Sequence, residues 1–92
     1  MHDDENFKYI TSKKIIDLSK KENKLLKILI KNKDRFVTKE TLIKEIFQTP
    51  VPYRTLTVLI FRLKKKLKGE IEIKNRPGFG YKIWKGENKW KL

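Results

Sequence analysis

Residues 54–67, RTLTVLIFRLKKKL, and residues 77–81, PGFGY, are the stretches whose side chains and spacing could do chemistry. The first has helical periodicity. At 100 degrees per residue, Leu59, Ile60, Leu63 and Leu67 fall within about 60 degrees of Leu56, an apolar stripe that must face a core. Arg54, Val58, Phe61, Arg62 and Lys65 fall on the opposite side. On a face that meets a DNA groove, Arg62 is placed as a bidentate donor to guanine, and Val58 and Phe61 could touch thymine methyls. Lys64, Lys65 and Lys66, towards the end of the helix, suit phosphates better than bases.

A merely solvated face normally mixes signs and uses acid–base pairs one turn apart. Residues 54–68 instead carry Arg54, Arg62, Lys64, Lys65, Lys66 and Lys68 and no acid. Phe61 has two open readings: contact with DNA, or packing on a neighbouring element or a second subunit. In residues 75–80, Gly78 and Gly80 permit a tight reversal. Arg76 at such a tip could enter a narrow minor groove, where negative potential is concentrated. An exposed arginine on a plain hairpin turn is the other reading.

Bulk composition agrees with a polyanionic partner. Lys and Arg number 24 against 11 Asp and Glu, a formal net charge of +13 over 92 residues. Cysteine is absent and His2 is the only histidine, so thiolate metal sites and most histidine chemistry are excluded. Glu40 and Glu45 do not share a helix face and make no acid–base pair, and no phosphate loop or activated serine is visible. No enzyme activity, cofactor, metal or small-molecule ligand is expected. The sequence has no apolar run of membrane-spanning length and no signal-peptide pattern, so the expectation is a cytoplasmic protein that does not engage a membrane.

The remaining elements must position the basic helix. Residues 1–6 are expected to be loose, and residues 7–10 and 13–18 to form two short strands. Ser19 and Glu22 have capping-box spacing, which predicts a helix over residues 20–32 with Leu25, Leu26, Ile28, Leu29 and Ile30 on a wide apolar face. The stretch 24–31 has the pattern of a membrane-active peptide, but the cap and the elements that follow favour a core helix. Residues 36–37 read as a brief extended piece. Thr38 is an N-cap for a helix over 39–47, which Pro50 and Pro52 stop. The third helix is predicted over 53–68 with Gly69 as its stop, then a strand over 71–74, a turn over 75–80 and a return strand over 81–85. The fold class expected is α+β: a winged helix-turn-helix of three helices, with a short N-terminal β-hairpin and a C-terminal β-hairpin wing. Residues 1–92 form a single domain with loose tails at 1–6 and 86–92.

This order of parts resembles the OmpR/PhoB-type winged-helix effector domain of two-component response regulators. The resemblance rests on Leu18-Ser19-Lys20-Lys21-Glu22 with Leu25-Leu26-Lys27-Ile28-Leu29, on residues 35–42 through Ile46-Phe47, on Arg54-Thr55 with Ile60, Leu63, Lys64, Lys65 and Leu67, and on Gly78-Phe79-Gly80-Tyr81. It covers about residues 18–83. It implies a sequence-specific regulator of transcription that binds double-stranded DNA. By resemblance, Thr55, Val58, Leu59, Arg62 and Lys66 face the major groove. Arg54, Lys64, Lys39 and Tyr81 sit near phosphates, and Asn75-Arg76 reaches the minor groove. Members of the family bind direct repeats as tandem protomers and contact RNA polymerase. Only about 18 residues precede the first helix, so the family's four-stranded N-terminal sheet is expected to be reduced. The loop over 48–53 is shorter than usual, Pro77 stands where an arginine is common, and Phe61 replaces a polar residue. The 92 residues hold no receiver domain ahead of the fold, so phosphorylation control is not inferred, and an excised effector domain and a stand-alone protein are both open readings. The alternative function is a protein-docking module that uses the same helix, motivated by Val58 and Phe61. Structured RNA ranks last, because no surface aromatics are spaced as a stacking platform.

Overall fold

A computed structural model describes residues 1–84. In chain order the elements are β1 (His2–Asp3), β2 (Lys8–Ile10), β3 (Ile15–Asp17), α1 (Lys20–Lys31), β4 (Val37–Thr38), α2 (Lys39–Phe47), α3 (Tyr53–Lys66), β5 (Glu72–Arg76) and β6 (Gly80–Trp84). They make two antiparallel three-stranded sheets, β1-β2-β3 and β4-β6-β5, around three helices. Among the described residues the N-terminal sheet has three strands.

Two helices start where local chemistry dictates. Before α1, the Ser19 hydroxyl accepts from the Glu22 N–H at 3.2 Å, and the Glu22 carboxylate accepts from the Ser19 N–H at 2.8 Å. Before α2, the Thr38 hydroxyl accepts from the Thr41 N–H at 3.1 Å. Each of these caps satisfies first-turn N–H groups that have no partner within the helix. The core gathers Leu25, Leu26 and Leu29 of α1, Leu42 of α2, and Leu56 and Leu63 of α3 with Leu67 just beyond it, all fully buried. Ile71, Ile73, Tyr81 and Ile83 close it from the C-terminal sheet.

Three expectations change. Residues 1–6 are not wholly loose, because His2 and Asp3 pair with Tyr9 and Lys8. His2 Nε2 also lies 2.6 Å from Asn23 Oδ1, and the Asn23 amide donates to the Asp4 carbonyl and carboxylate at 3.0 and 2.8 Å. A buried asparagine on α1 thus holds the segment, a partner about twenty residues away that local composition cannot reveal. Second, α3 ends at Lys66; Leu67 caps it, and Gly69, at φ +88°, turns the chain out. Third, the reversal over 75–80 is tighter than expected. Asn75 and Arg76 are the last residues of β5, and the Phe79 N–H donates to the Arg76 carbonyl at 2.9 Å. With Pro77 second and Gly78 third at φ +75°, this is a type II turn. The predicted tail over 86–92 lies outside the described residues.

The brief piece at 36–37 proves to belong to the wing. Val37 and Thr38 pair with Tyr81 and Gly80, so β6 is the central strand of its sheet. Glycine at 80 is a steric requirement: a Cβ there would sit 1.9 Å from the Val37 carbonyl oxygen. At Gly78 a Cβ meets nothing within 4 Å and only the positive φ opposes it. Gly80→Ala is therefore expected to cost at least about 2 kcal/mol, and Gly78→Ala only about 1. Urea unfolding of both variants checks this; equal small losses would contradict the close β4–β6 approach.

Candidate nucleic-acid interface

Three elements build one basic surface. Helix α3 buries Leu56, Leu59, Ile60 and Leu63 and leaves Arg54, Thr55, Val58, Phe61, Arg62, Lys64 and Lys65 exposed. Beside it a groove of about 370 Å³ is lined by Arg54, Thr55, Val58 and Arg62, with Leu59 and Phe47 contributing apolar surface. Lys21 of α1 joins that lining, its ammonium 5.7 Å from the Phe47 ring. The sequence reading did not single out Lys21; its distance along the chain from α3 hid it.

The β5–β6 wing adds a second group of cations. Lys74, Arg76, Lys82 and Trp84 alternate along the two strands and share one face, opposite Ile73, Tyr81 and Ile83. The Arg76 guanidinium lies 5.2 Å from the Phe79 ring and 5.8 Å from the Phe36 ring. Lys82 sits 4.8 Å over Phe36, and Lys74 4.0 Å over Trp84. Phe36 and Phe79 meet edge to face at 6.4 Å. Clustering of aromatics at this surface was not foreseen, because Phe36 comes from beyond two helices. Arg76 is accordingly steadied at the shoulder of the wing; Pro77 and Gly78 form the tip.

Lys39 links the two groups. Its N–H donates to the Phe79 carbonyl at 3.1 Å, and its ammonium lies 5.6 Å from the Tyr53 ring. The Tyr53 hydroxyl donates to Glu40 at 2.7 Å. That bond holds the Glu40 carboxyl below its ordinary range and pushes the Tyr53 hydroxyl up.

Three expected DNA contacts take other roles. Leu59 is only 7% exposed and serves the core, as its place on the apolar stripe requires. Tyr81 is also 7% exposed; its ring packs in the core rather than standing free for a phosphate. Lys66 turns inward, and its ammonium donates to the Glu22 carboxylate at 2.6 Å and to the Asp17 carbonyl at 3.1 Å. Burial pushes the Glu22 pKa up, but the Lys66 bond and the Ser19 N–H outweigh it and hold it below its ordinary value. Lys66 thus fixes α3 against α1.

This arrangement defines a winged helix-turn-helix whose third helix exposes a cationic face. Residues 12–83 match the family described as "Transcriptional regulatory protein, C terminal". The chain belongs to that family, the OmpR/PhoB-type DNA-binding effector domains of response regulators. A curated relative, the "Putative epidermin response regulator" of Staphylococcus epidermidis, is 40% identical over 85 residues, covering 88% of this chain and 42% of the relative. The chain thus spans less than half of that relative's length. Among solved structures, the C-terminal domain of the nisin resistance regulator NsrR, a lantibiotic response regulator, is 31% identical with a TM-score of 0.74, over 84% of each chain. The DNA-binding domain of the response regulator AdeR, solved in complex with an intercistronic region, is 23% identical with a TM-score of 0.80, over 92% of this chain and 93% of that one. At that identity the likeness speaks for the fold. The protein-docking alternative is not favoured by these relationships.

Lys66→Met would leave the buried Glu22 carboxylate without its ammonium. The expected cost at pH 7 is about 1–3 kcal/mol, below the full figure for a buried pair because the Lys66 end stays half wet. Glu22 titrates below its ordinary 4.5 in the folded state, so its contribution is full above that pH. It is lost as the pH falls through the lowered value. Urea unfolding should show the gap between wild type and variant narrowing in acid; a gap that is constant with pH would contradict the pairing.

Proposed function

We propose that α3 enters the major groove of a specific duplex DNA site, with Arg62 reading a base edge. Arg54, Lys64 and Lys65 hold phosphates, and Thr55 lies at the groove wall. One observation carries this reading: α3 presents an acid-free cationic face while its other side is fully committed to the core. Long-range attraction captures DNA, the phosphate contacts set the register, and the base contacts select the site. Arg76 at the shoulder of the wing, and Lys39 beneath it, extend the grip towards the neighbouring minor groove; Asn75, expected to join them, pairs with Tyr81 and so lies on the opposite face of the wing.

Two protomers in tandem on a direct repeat are the assembly we propose, by analogy with the family. A contact with RNA polymerase would fall on the loop after α2, where Thr49, Pro50 and Val51 line a groove with Ile43 and Tyr53. The domain acts by binding rather than catalysis. Among the described residues no group of His, Cys, Asp or Glu could hold a metal ion, and no helix is long and apolar enough to cross a membrane. A cytoplasmic location follows from the proposed target.

Arg62→Ala, tested on a site selected from random duplexes, should bind that site more weakly by about 1–3 kcal/mol and random DNA almost unchanged. Titrations on both duplexes check it. Equal losses on the two would make Arg62 a phosphate clamp and remove it as a reader.

A further inference from the structure

We infer that Val58 and Phe61 read thymine 5-methyl groups, so that the site this domain selects carries thymines on neighbouring base steps. The inference rests on the proposed DNA reading and names the chemistry of its target.

Phe61 is 61% exposed and Val58 44%, on a helix whose core contacts are complete without them. Val58 points within about 20 degrees of directly away from the buried stripe. Arg62 lies about 40 degrees to one side of it and Phe61 about 60 degrees to the other. A helix that presents this face to the groove therefore carries Val58 near its centre, with the Arg62 cation on one flank and the Phe61 ring on the other. The Lys65 ammonium, 5.7 Å from the Phe61 ring, lies on this same face.

Neither side chain has a hydrogen-bonding atom. Against guanine, cytosine or adenine each would cover donors or acceptors without pairing them, which is costly in a dry interface. The thymine methyl is the one apolar group on the major-groove edge of the base pairs. Val58 and Phe61 are about 4.5 Å apart along the helix axis, against a base-pair rise of about 3.4 Å, so they meet neighbouring steps rather than one base. The surrounding charge selects DNA over a protein as the occupant: Arg54, Arg62, Lys64 and Lys65 surround the pair, and no acid occurs from 53 to 69.

Replacing thymine by deoxyuridine removes the methyl and leaves every hydrogen-bonding group in place. The full chain is titrated against its selected duplex and against versions with single deoxyuridines. Binding is expected to weaken about fourfold per contacted methyl, the worth of one buried methyl group, at adjacent positions only. The exposed double variant V58S/F61S should bind the thymine and deoxyuridine duplexes equally, and Arg62→Ala should keep the discrimination while losing affinity. Wild-type affinity unchanged by every deoxyuridine, with preference over scrambled DNA intact, overturns the methyl reading alone. Failure to select any site overturns the base-reading role of α3, and this inference with it.

Discussion

The buried Glu22 carboxylate is the joint on which the rest of the structure depends. It closes the N-terminus of α1 by accepting from the Ser19 N–H, and it receives the Lys66 ammonium from the last residue of α3. One group thus starts the first helix and fixes the far end of α3. Lys66 also donates to the Asp17 carbonyl, which draws in the strand leading to the cap. A carboxylate this buried is tolerated because its Oε1 accepts from both a charged donor, the Lys66 ammonium, and a backbone donor, the Ser19 N–H. The consequence is positional. With α3 fixed against α1, its exposed cations stand at set distances from one another and from the wing.

Features governed by neighbours a few residues away were legible in the sequence. The capping box at Ser19 and Glu22, the Thr38 cap and the span of α2 all follow from side chains reaching their own backbone. The apolar stripe of α3 was legible for the same reason, as was the exposure of Val58 and Phe61. Features that depend on distant partners were not. Lys66 sits among lysines that face outward, and only Glu22, 44 residues earlier, distinguishes it. Resemblance placed Leu59 in the groove, whereas the helical stripe placed it in the core, and the stripe was the better guide. Arg76 was assigned to the tip because glycines mark a turn, but the type II turn needs only Pro77 and Gly78 at its centre. The N-terminal segment looked loose because its composition is polar; His2, Asp4 and Asn23 satisfy one another across the fold.

Cations in this chain consequently fall into distinct roles. Lys66 is structural. Arg54, Arg62, Lys64 and Lys65 form the open face of α3, and Lys74, Arg76 and Lys82 are laid against aromatic rings on the wing. Such ring contacts position a cation without neutralising it, so the wing keeps its charge while its cations lose rotamer freedom in advance. Lys20, Lys24, Lys27 and Lys31 repeat along the outer face of α1, away from the α3 groove. Net charge alone would count them with the exposed cations of α3; the geometry separates them.

The most direct test of this account is an NMR titration of the isotope-labelled full chain with its selected duplex, following backbone amides and the Val58 methyls. The largest shifts are expected on residues 54–65 and on 74–82, with the α1 lysines at 24, 27 and 31 little changed. Shifts centred on those α1 lysines, or spread evenly over the basic surface, would contradict it.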